Sequence, residues 1–283
     1  PADPAAPLEE PTMDLVTQQG LSRYSPPYVW RLVATALSFS LFGIGGVLLR
    51  VLIFPLLALL PGDALSRRTR ARAVVSKTFY LFVRFMYRSG VLTYEVEGIE
   101  RLGQPGQMVI ANHPSLIDVV VLIAFIRDAN CVVKQTLWDN PSMRGPLRAA
   151  HFISNSGSMD MLDEAAGALQ SGQTLVIFPE GTRTTPGQAP EFHRGAAAIA
   201  IRGARIVTPV VISVSPTTLT KAEPWYSIPS RRFHIRLRVG EDIDPQQFNA
   251  MGAPPIASRK LNDFLHQHFM KELAKDERFT AGN

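Results

Sequence analysis

Met108-Val-Ile-Ala-Asn-His-Pro-Ser-Leu-Ile-Asp118 is the stretch that decides how this chain is read. An apolar strand runs into Asn112-His113, and an apolar helix starts near Ser115. Pro114 disfavours helical geometry at His113, so His113 is expected to be extended while Asp118 falls on the first helical turn. Five residues along a regular helix are about 500°, which would leave the two side chains roughly 140° apart. With His113 outside the helix, the chain can fold back. Asp118 then accepts from one imidazole nitrogen and the other is left as a base. The same letters admit a plainer reading: Ser115-Leu-Ile-Asp118 is an S-x-x-D capping box, and His113 is then a satisfied turn histidine.

Downstream, Thr174-Leu-Val-Ile-Phe-Pro-Glu-Gly-Thr-Arg-Thr184 repeats the design, an apolar strand ending in a tight turn that carries charge. Pro179 and Gly181 set that turn, and Glu180 and Arg183 project from it. Loops at the carboxyl ends of strands are where α/β folds hold ligands, and the planar fork of Arg183 suits phosphate oxygens. A structural Glu–Arg ion pair in a surface turn is the alternative. From about residue 91 strands alternate with helices. Strands are expected at Leu92–Val96, Met108–Ala111, Asn130–Val133, Thr174–Phe178, Val207–Val214 and Phe233–Val239. Helices are expected at Ser115–Phe125, Met161–Gln170, Ala196–Arg202 and Arg259–Lys275. The fold class is α/β, a mixed sheet flanked by helices, with an N-terminal hydrophobic helical membrane anchor.

The anchor is expected from Leu32 to Leu60, a run whose only charge is Arg50. A bilayer core needs about 20 helical residues, and a buried soluble helix of this length without a polar face would be unusual. A buried helical hairpin in a soluble protein is the other reading. Arg50, Pro55 and the Gly43, Gly45, Gly46 cluster interrupt the run. They leave open one tilted helix or a pair of shorter helices dipping into one leaflet. Arg67, Arg68, Arg70 and Arg72 follow, a basic cluster of the kind that stays cytoplasmic and meets anionic lipid. Val74–Tyr87 reads as an amphipathic helix with Lys77, Arg84 and Arg88 able to snorkel. The division is thus a mobile leader over 1–27, a membrane-associated helical region over 28–90 and a catalytic domain over 91–283. The expected location is the cytoplasmic membrane, with the catalytic domain facing the cytoplasm.

Across all 283 residues the net charge is +5, which suits an anionic partner. The single cysteine, Cys131, cannot form an internal disulfide, and no Cys/His cluster has zinc spacing. There is no P-loop, dinucleotide fingerprint or G-x-S-x-G elbow. His266 and His268 point to different helix faces and make poor metal partners. Arg232, His234, Arg236 and Arg238 form one basic face of a strand, read as a solvated edge or as a contact for headgroups or an acidic carrier. Without aromatic interleaving, nucleic acid is not expected.

The His113/Asp118 arrangement suits acyl transfer to an alcohol. A hydroxyl is a poor nucleophile at neutral pH. A positioned histidine can take its proton as it attacks a carbonyl, while a carboxylate fixes the tautomer. The two turns, Asn112-His113-Pro-Ser-Leu-Ile-Asp118 and Phe178-Pro-Glu-Gly-Thr-Arg183, resemble the first and third blocks of the glycerolipid acyltransferases. They are most similar to the 1-acylglycerol-3-phosphate acyltransferases, and stand at that family's spacing. Lys134 resembles a lysine before the second block, Phe192-His-Arg-Gly195 an F-(K/R)-x-G region, and Val207-Thr-Pro-Val210 the fourth block.

The resemblance implies that His113 is the base and Asp118 its orienter. Lys134, Glu180, Gly181, Thr182 and Arg183 would serve the acceptor pocket, Arg183 against phosphate, and Pro209 would pack near the acyl channel. It implies acyl-CoA or acyl-carrier protein as donor, a lysolipid acceptor (lysophosphatidate most simply), membrane lipids as partners, no other cofactor and no metal. One departure stands out, since Asn155 occupies a position where the family's second block has an arginine for the acceptor phosphate. Other readings remain at this stage: another lipid acceptor such as a lyso-aminolipid or a polyketide-like lipid, a catalytically silent lipid-binding protein, or a thioesterase. Loss of His113 or Asp118 would have favoured the silent protein.

Overall fold

The structure, a computed structural model, describes residues 26–221 and 223–281, with side chains as far as 276. The leader expected over 1–27 lies almost wholly outside the described residues.

The apolar run forms one helix, Tyr28–Ala58. It comprises α1 (Tyr28–Leu48), a π-helical turn (Leu49–Ile53) and α2 (Phe54–Ala58). Pro55 has no N–H, and its ring crowds the carbonyl four residues back. The widened π turn just before it absorbs both defects without ending the helix. The interruptions seen in the sequence therefore do not divide the run into two short helices. The chain reverses only at Gly62, whose φ of +140° favours glycine, and α3 (Ala64–Arg88) follows, capped by the Asp63 carboxylate on the Ser66 N–H. Ala71, Val75, Phe79, Phe82 and Met86 recur at helical spacing and form its buried face.

The expected basic cluster is corrected by the fold. Arg72 is buried, donating to Ala150 O, to the Gln173 side chain and to Asp128. It lies on the core-facing side of α3, one turn before Val75, so it is a structural tie and does not face solvent. Of the four arginines only Arg67 is exposed, with Arg68 and Arg70 half-buried.

The region after α3 is built on β1 (Leu92–Glu97), β2 (Gln107–Ala111), α4 (Asp118–Ala124), β3 (Ala129–Lys134), α5 (Pro141–Ala149), β4 (Ile153–Asn155), α6 (Met159–Gln170), β5 (Thr174–Ile177), α7 (Arg194–Gly203), β6 (Ile206–Ser215), β7 (Phe233–Val239), α8 (Gln246–Asn249) and α9 (Pro254–Ala281). The seven strands form one sheet in the order β1-β7-β6-β2-β5-β3-β4. Every pair is parallel except β6 with β7. Alternate residues feed two cores. Val109, Ala111, Val176 and Val210 pack with α3 and α4, whereas Met108, Ile110, Val207 and Val211 pack with α6, α7 and α9.

All six expected strands are present. The short β4 is the exception that the sequence reading missed. It holds Asn155 beside Lys134 at the end of β3. The basic face of β7 is also corrected, because β7 is an internal strand, between β1 and β6. Arg236 pairs with Glu97 of β1, and Arg238 with Asp276 of α9. Those partners neutralise the face and leave no solvated edge for a carrier.

Candidate active site

β2 runs straight into the histidine turn, and the sheet ladder is prolonged there by a side chain. Asn112 donates Nδ2–H to Ile212 O (2.8 Å) and accepts from Ile212 N–H (2.7 Å), so its amide takes the place of a further pair of backbone bonds to β6. His113 follows at the strand's carboxyl end. Its backbone is clamped by the second turn. His113 N–H donates to Glu180 Oε1 (2.9 Å), and His113 O accepts from Thr184 N–H (2.8 Å).

His113 Nδ1 lies 2.9 Å from Asp118 Oδ2. Asp118 begins α4 and is fully buried. Such a carboxylate is tolerable only with donors around it, and it has three: the imidazole, Ser115 N–H (2.6 Å) and the Ser115 hydroxyl. The two readings of Ser115-Leu-Ile-Asp118 therefore coexist. The carboxylate accepts from Ser115 as in a capping box, and the same oxygen orients the imidazole. The fold-back argued from Pro114 is what brings them together. Phe178 lies beneath the imidazole at 4.6 Å between centroids. Nε2 has no hydrogen-bond partner among the described residues.

Glu180 is buried and accepts from His113 N–H and from the Thr184 hydroxyl (3.0 Å). Burial raises its pKa, opposed by those two hydrogen bonds. It forms no ion pair with Arg183. Arg183 instead donates from Nη1 to Leu219 O (3.0 Å) and Thr220 O (2.8 Å), and its Nε and Nη2 have no partner among the described residues. The surface-pair alternative is thereby set aside. Glu180 serves the histidine backbone, and Arg183 holds a distant loop with one arm of its fork.

These turns open on a cavity of about 730 Å³. Its polar end is lined by His113, Lys134, Asn155, Gly181, Thr182 and Arg183, so the sheet places these expected residues together. His193, absent from the sequence expectations, joins them; its ring comes within 3.6 Å of where a Cβ on Gly181 would sit. The rest is apolar, with Phe39 and Phe42 from α1, Phe79 and Phe82 from α3, Val120 from α4 and Met143 from α5. Pro209 is not among the lining residues. It points to the other core, against Gly240, where an added Cβ would come within 2.9 Å of its ring. The side-chain alternation of β6 decides this, so the acyl-channel role expected of Pro209 is corrected to sheet packing.

Residues 93–213, which contain both turns and the polar end of the cavity, match the family model described as Acyltransferase. Over this stretch, which is less than half of the chain, the sequence is similar to acyltransferase domains. The 1-acyl-sn-glycerol-3-phosphate acyltransferase of Pseudomonas aeruginosa is 28% identical over 125 residues, covering 42% of this chain and 49% of that enzyme. The mouse enzyme of the same name, alpha form, is 26% identical over 224 residues, 76% of each chain. The match thus spans about half of the bacterial relative's length. The crystal structure titled as the 1-acyl-sn-glycerophosphate acyltransferase PlsC of Thermotoga maritima superposes with a TM-score of 0.64 at 21% identity. It covers 86% of this chain and 98% of that one, and shows that the two share a fold. An acyltransferase domain requires a nucleophile, a base and room for a chain. The cavity brings the histidine, the cationic end and the apolar arm into one space.

Proposed function

We propose that this protein transfers an acyl group from a thioester donor, acyl-CoA or acyl-carrier protein, to the free hydroxyl of a lysophospholipid, lysophosphatidate most simply. His113 is the general base. Its Nε2 removes the hydroxyl proton as the oxygen attacks the thioester carbonyl, and Asp118 holds the Nδ1–H tautomer and stabilises the imidazolium. The tetrahedral intermediate then collapses, the C–S bond breaks, and the thiolate leaves and takes up the proton. No acyl-enzyme and no metal enter the scheme. Glu180 keeps His113 in place through its backbone. Lys134 and the free arm of Arg183 face the acceptor's anionic group, and the apolar arm of the cavity receives the acyl chain.

The enzyme works at the cytoplasmic face of a membrane, with Tyr28–Ala58 embedded. The observation that carries the reading is the buried-carboxylate-bound histidine at the junction of a cationic pocket and an apolar arm. Lipid mass spectrometry of reactions offering a panel of lysolipids with both donor types tests it. A diacyl product is expected, largest with a phosphate-bearing acceptor. Release of free fatty acid alone would replace the reading with a thioesterase, and no turnover of any donor would leave a lipid-binding protein.

A further inference from the structure

Between β6 and β7 the chain leaves the sheet at Ser215 and re-enters it at Phe233. Its first part is fastened to the histidine turn. The carbonyl of Leu219 accepts from Leu116 N–H (3.0 Å) and from Arg183, and that of Thr220 accepts from Arg183. Leu219 holds a φ of +55°, a strained conformation for a leucine that these bonds sustain. Thr218, Leu219 and Thr220 are buried.

Its second part is fastened to α1. The buried Arg31 donates to Pro229 O (2.8 Å) and Ser230 O, and Trp225 packs 6.0 Å from Phe39. At this second fastening Trp225 forms an edge-to-face pair with Tyr226, and the two rings are 41% and 58% exposed. No step of the proposed chemistry uses either ring.

Single exposed aromatics are common on proteins. These two adjoin α1, which itself exposes Val33, Leu37, Leu41, Ile44 and Val47, and the connection also exposes Lys221 and Arg231. Indole and phenol rings suit the boundary between acyl chains and headgroups, and exposed lysine and arginine suit anionic headgroups. We propose that this connection is a second bilayer-contacting element. Trp225 and Tyr226 enter the headgroup boundary of an anionic membrane beside α1, and that contact steadies the Leu219–Thr220 turn against the histidine turn. Arg183, which lines the cavity, and Leu219, whose carbonyl binds that arginine, are then positioning residues. The inference rests on the membrane placement of α1 but not on the acyl-transfer chemistry.

The test needs no turnover. The chain has three tryptophans, Trp30, Trp138 and Trp225, so comparing the wild type with Trp225→Phe isolates the signal of Trp225. With vesicles of phosphatidylcholine and phosphatidylglycerol carrying bromine on the upper acyl chain, quenching is expected in the wild type. At least a third of it should be missing in Trp225→Phe. Equal quenching in the two proteins, with both bound to the vesicles, overturns the proposal while leaving the embedding of α1 intact. Failure of the wild type to bind vesicles at all overturns both. A fluorescence change at Trp225 on adding acyl-carrier protein but not vesicles would reassign the surface to a protein partner, and so would overturn it too. For the coupling, hydrogen exchange is read at the peptide containing Leu116. Vesicles should slow exchange there several-fold in the wild type but not in Trp225→Ser/Tyr226→Ser, with β2 amides equally protected in both. No slowing at Leu116 in the vesicle-bound wild type would refute the coupling.

Discussion

His113 is the most consequential single residue, and its geometry makes two statements testable. If Nε2 is the base, His113→Ala lowers turnover by roughly 10² to 10⁴-fold. The fold should persist, because Asp118 keeps both donors from Ser115. Asp118→Asn should also cost turnover strongly, since the amide no longer enforces the Nδ1–H tautomer. Steady-state rates beside circular dichroism decide this; a folded His113→Ala protein with near wild-type turnover would remove the mechanism. The acceptor end gives the second test. Asn155 and Lys134 lie side by side in register and line the cavity, so an arginine at 155 would bring its charge to the acceptor end. Asn155→Arg is expected to raise kcat/KM for lysophosphatidate relative to an acceptor without a terminal phosphate, by roughly 10-fold or more for one added charge-assisted bond. Arg183→Ala should raise KM for the acceptor more than for the donor. An unchanged acceptor KM would mean that Arg183 serves only the carbonyls of Leu219 and Thr220.

At the scale of elements, α1 and α3 have two faces with different tasks. On the inward side Phe42 packs on Phe79 (5.8 Å) and Phe82 (5.1 Å). These rings, with Met143 and Pro146, line both the main cavity and a smaller apolar one of about 220 Å³. They form the wall between the two. Phe42→Ala is expected to join the cavities and shift donor preference to longer chains, by about fourfold for each methylene newly buried at ~0.8 kcal/mol. A series of acyl-CoA lengths reads this, and an unchanged profile would show that the chain never reaches the wall. On the outward side Leu37, Leu41 and Ile44 are exposed, so replacing all three by serine disturbs little packing. Vesicle binding should fall more than tenfold, because each large apolar side chain contributes roughly 1.5–3 kcal/mol when buried. Sedimentation with liposomes measures it, and binding at the wild-type level would rule out this face as the anchor.

Over the whole molecule the helical region and the sheet are locked together by Arg72. Its guanidinium joins α3 to Ala150 after α5, to Asp128 before β3 and to Gln173 before β5, and burial lowers its pKa to about 10. Arg72→Met keeps the apolar stem but strands the buried Ala150 carbonyl, which should cost about 1–3 kcal/mol. A thermal melt should show a clear drop in midpoint, and an unchanged midpoint would show that water replaces the guanidinium at no cost. α1 is joined to the rest by small residues as well. Gly46 faces the Ser142 carbonyl, and Gly145 faces Arg50, at distances that leave no room for a Cβ on either glycine.

What the sequence determined by itself is local. Periods of two and three to four residues located the six main strands and the principal helices. Pro114 separated His113 from its helix, and the proline and glycine of the second turn put Glu180 and Arg183 on a tight turn at a strand end. Each of these follows from backbone sterics within a few residues of the position concerned. What only the tertiary structure decided involves partners distant along the chain. The three-residue β4 has too few positions to show a period and exists because β3 offers it an edge. Arg72 reads as one more surface cation until the Ala150 carbonyl is found in front of it. Pro209 belongs to sheet packing because the alternation of β6 turns it towards Gly240. Arg183 looked destined for phosphate or Glu180, yet two carbonyls 36 and 37 residues away take one of its arms. Charge and hydrogen bonding carry no sequence period, so which donor meets which acceptor is fixed only when the sheet order brings remote turns to the same edge.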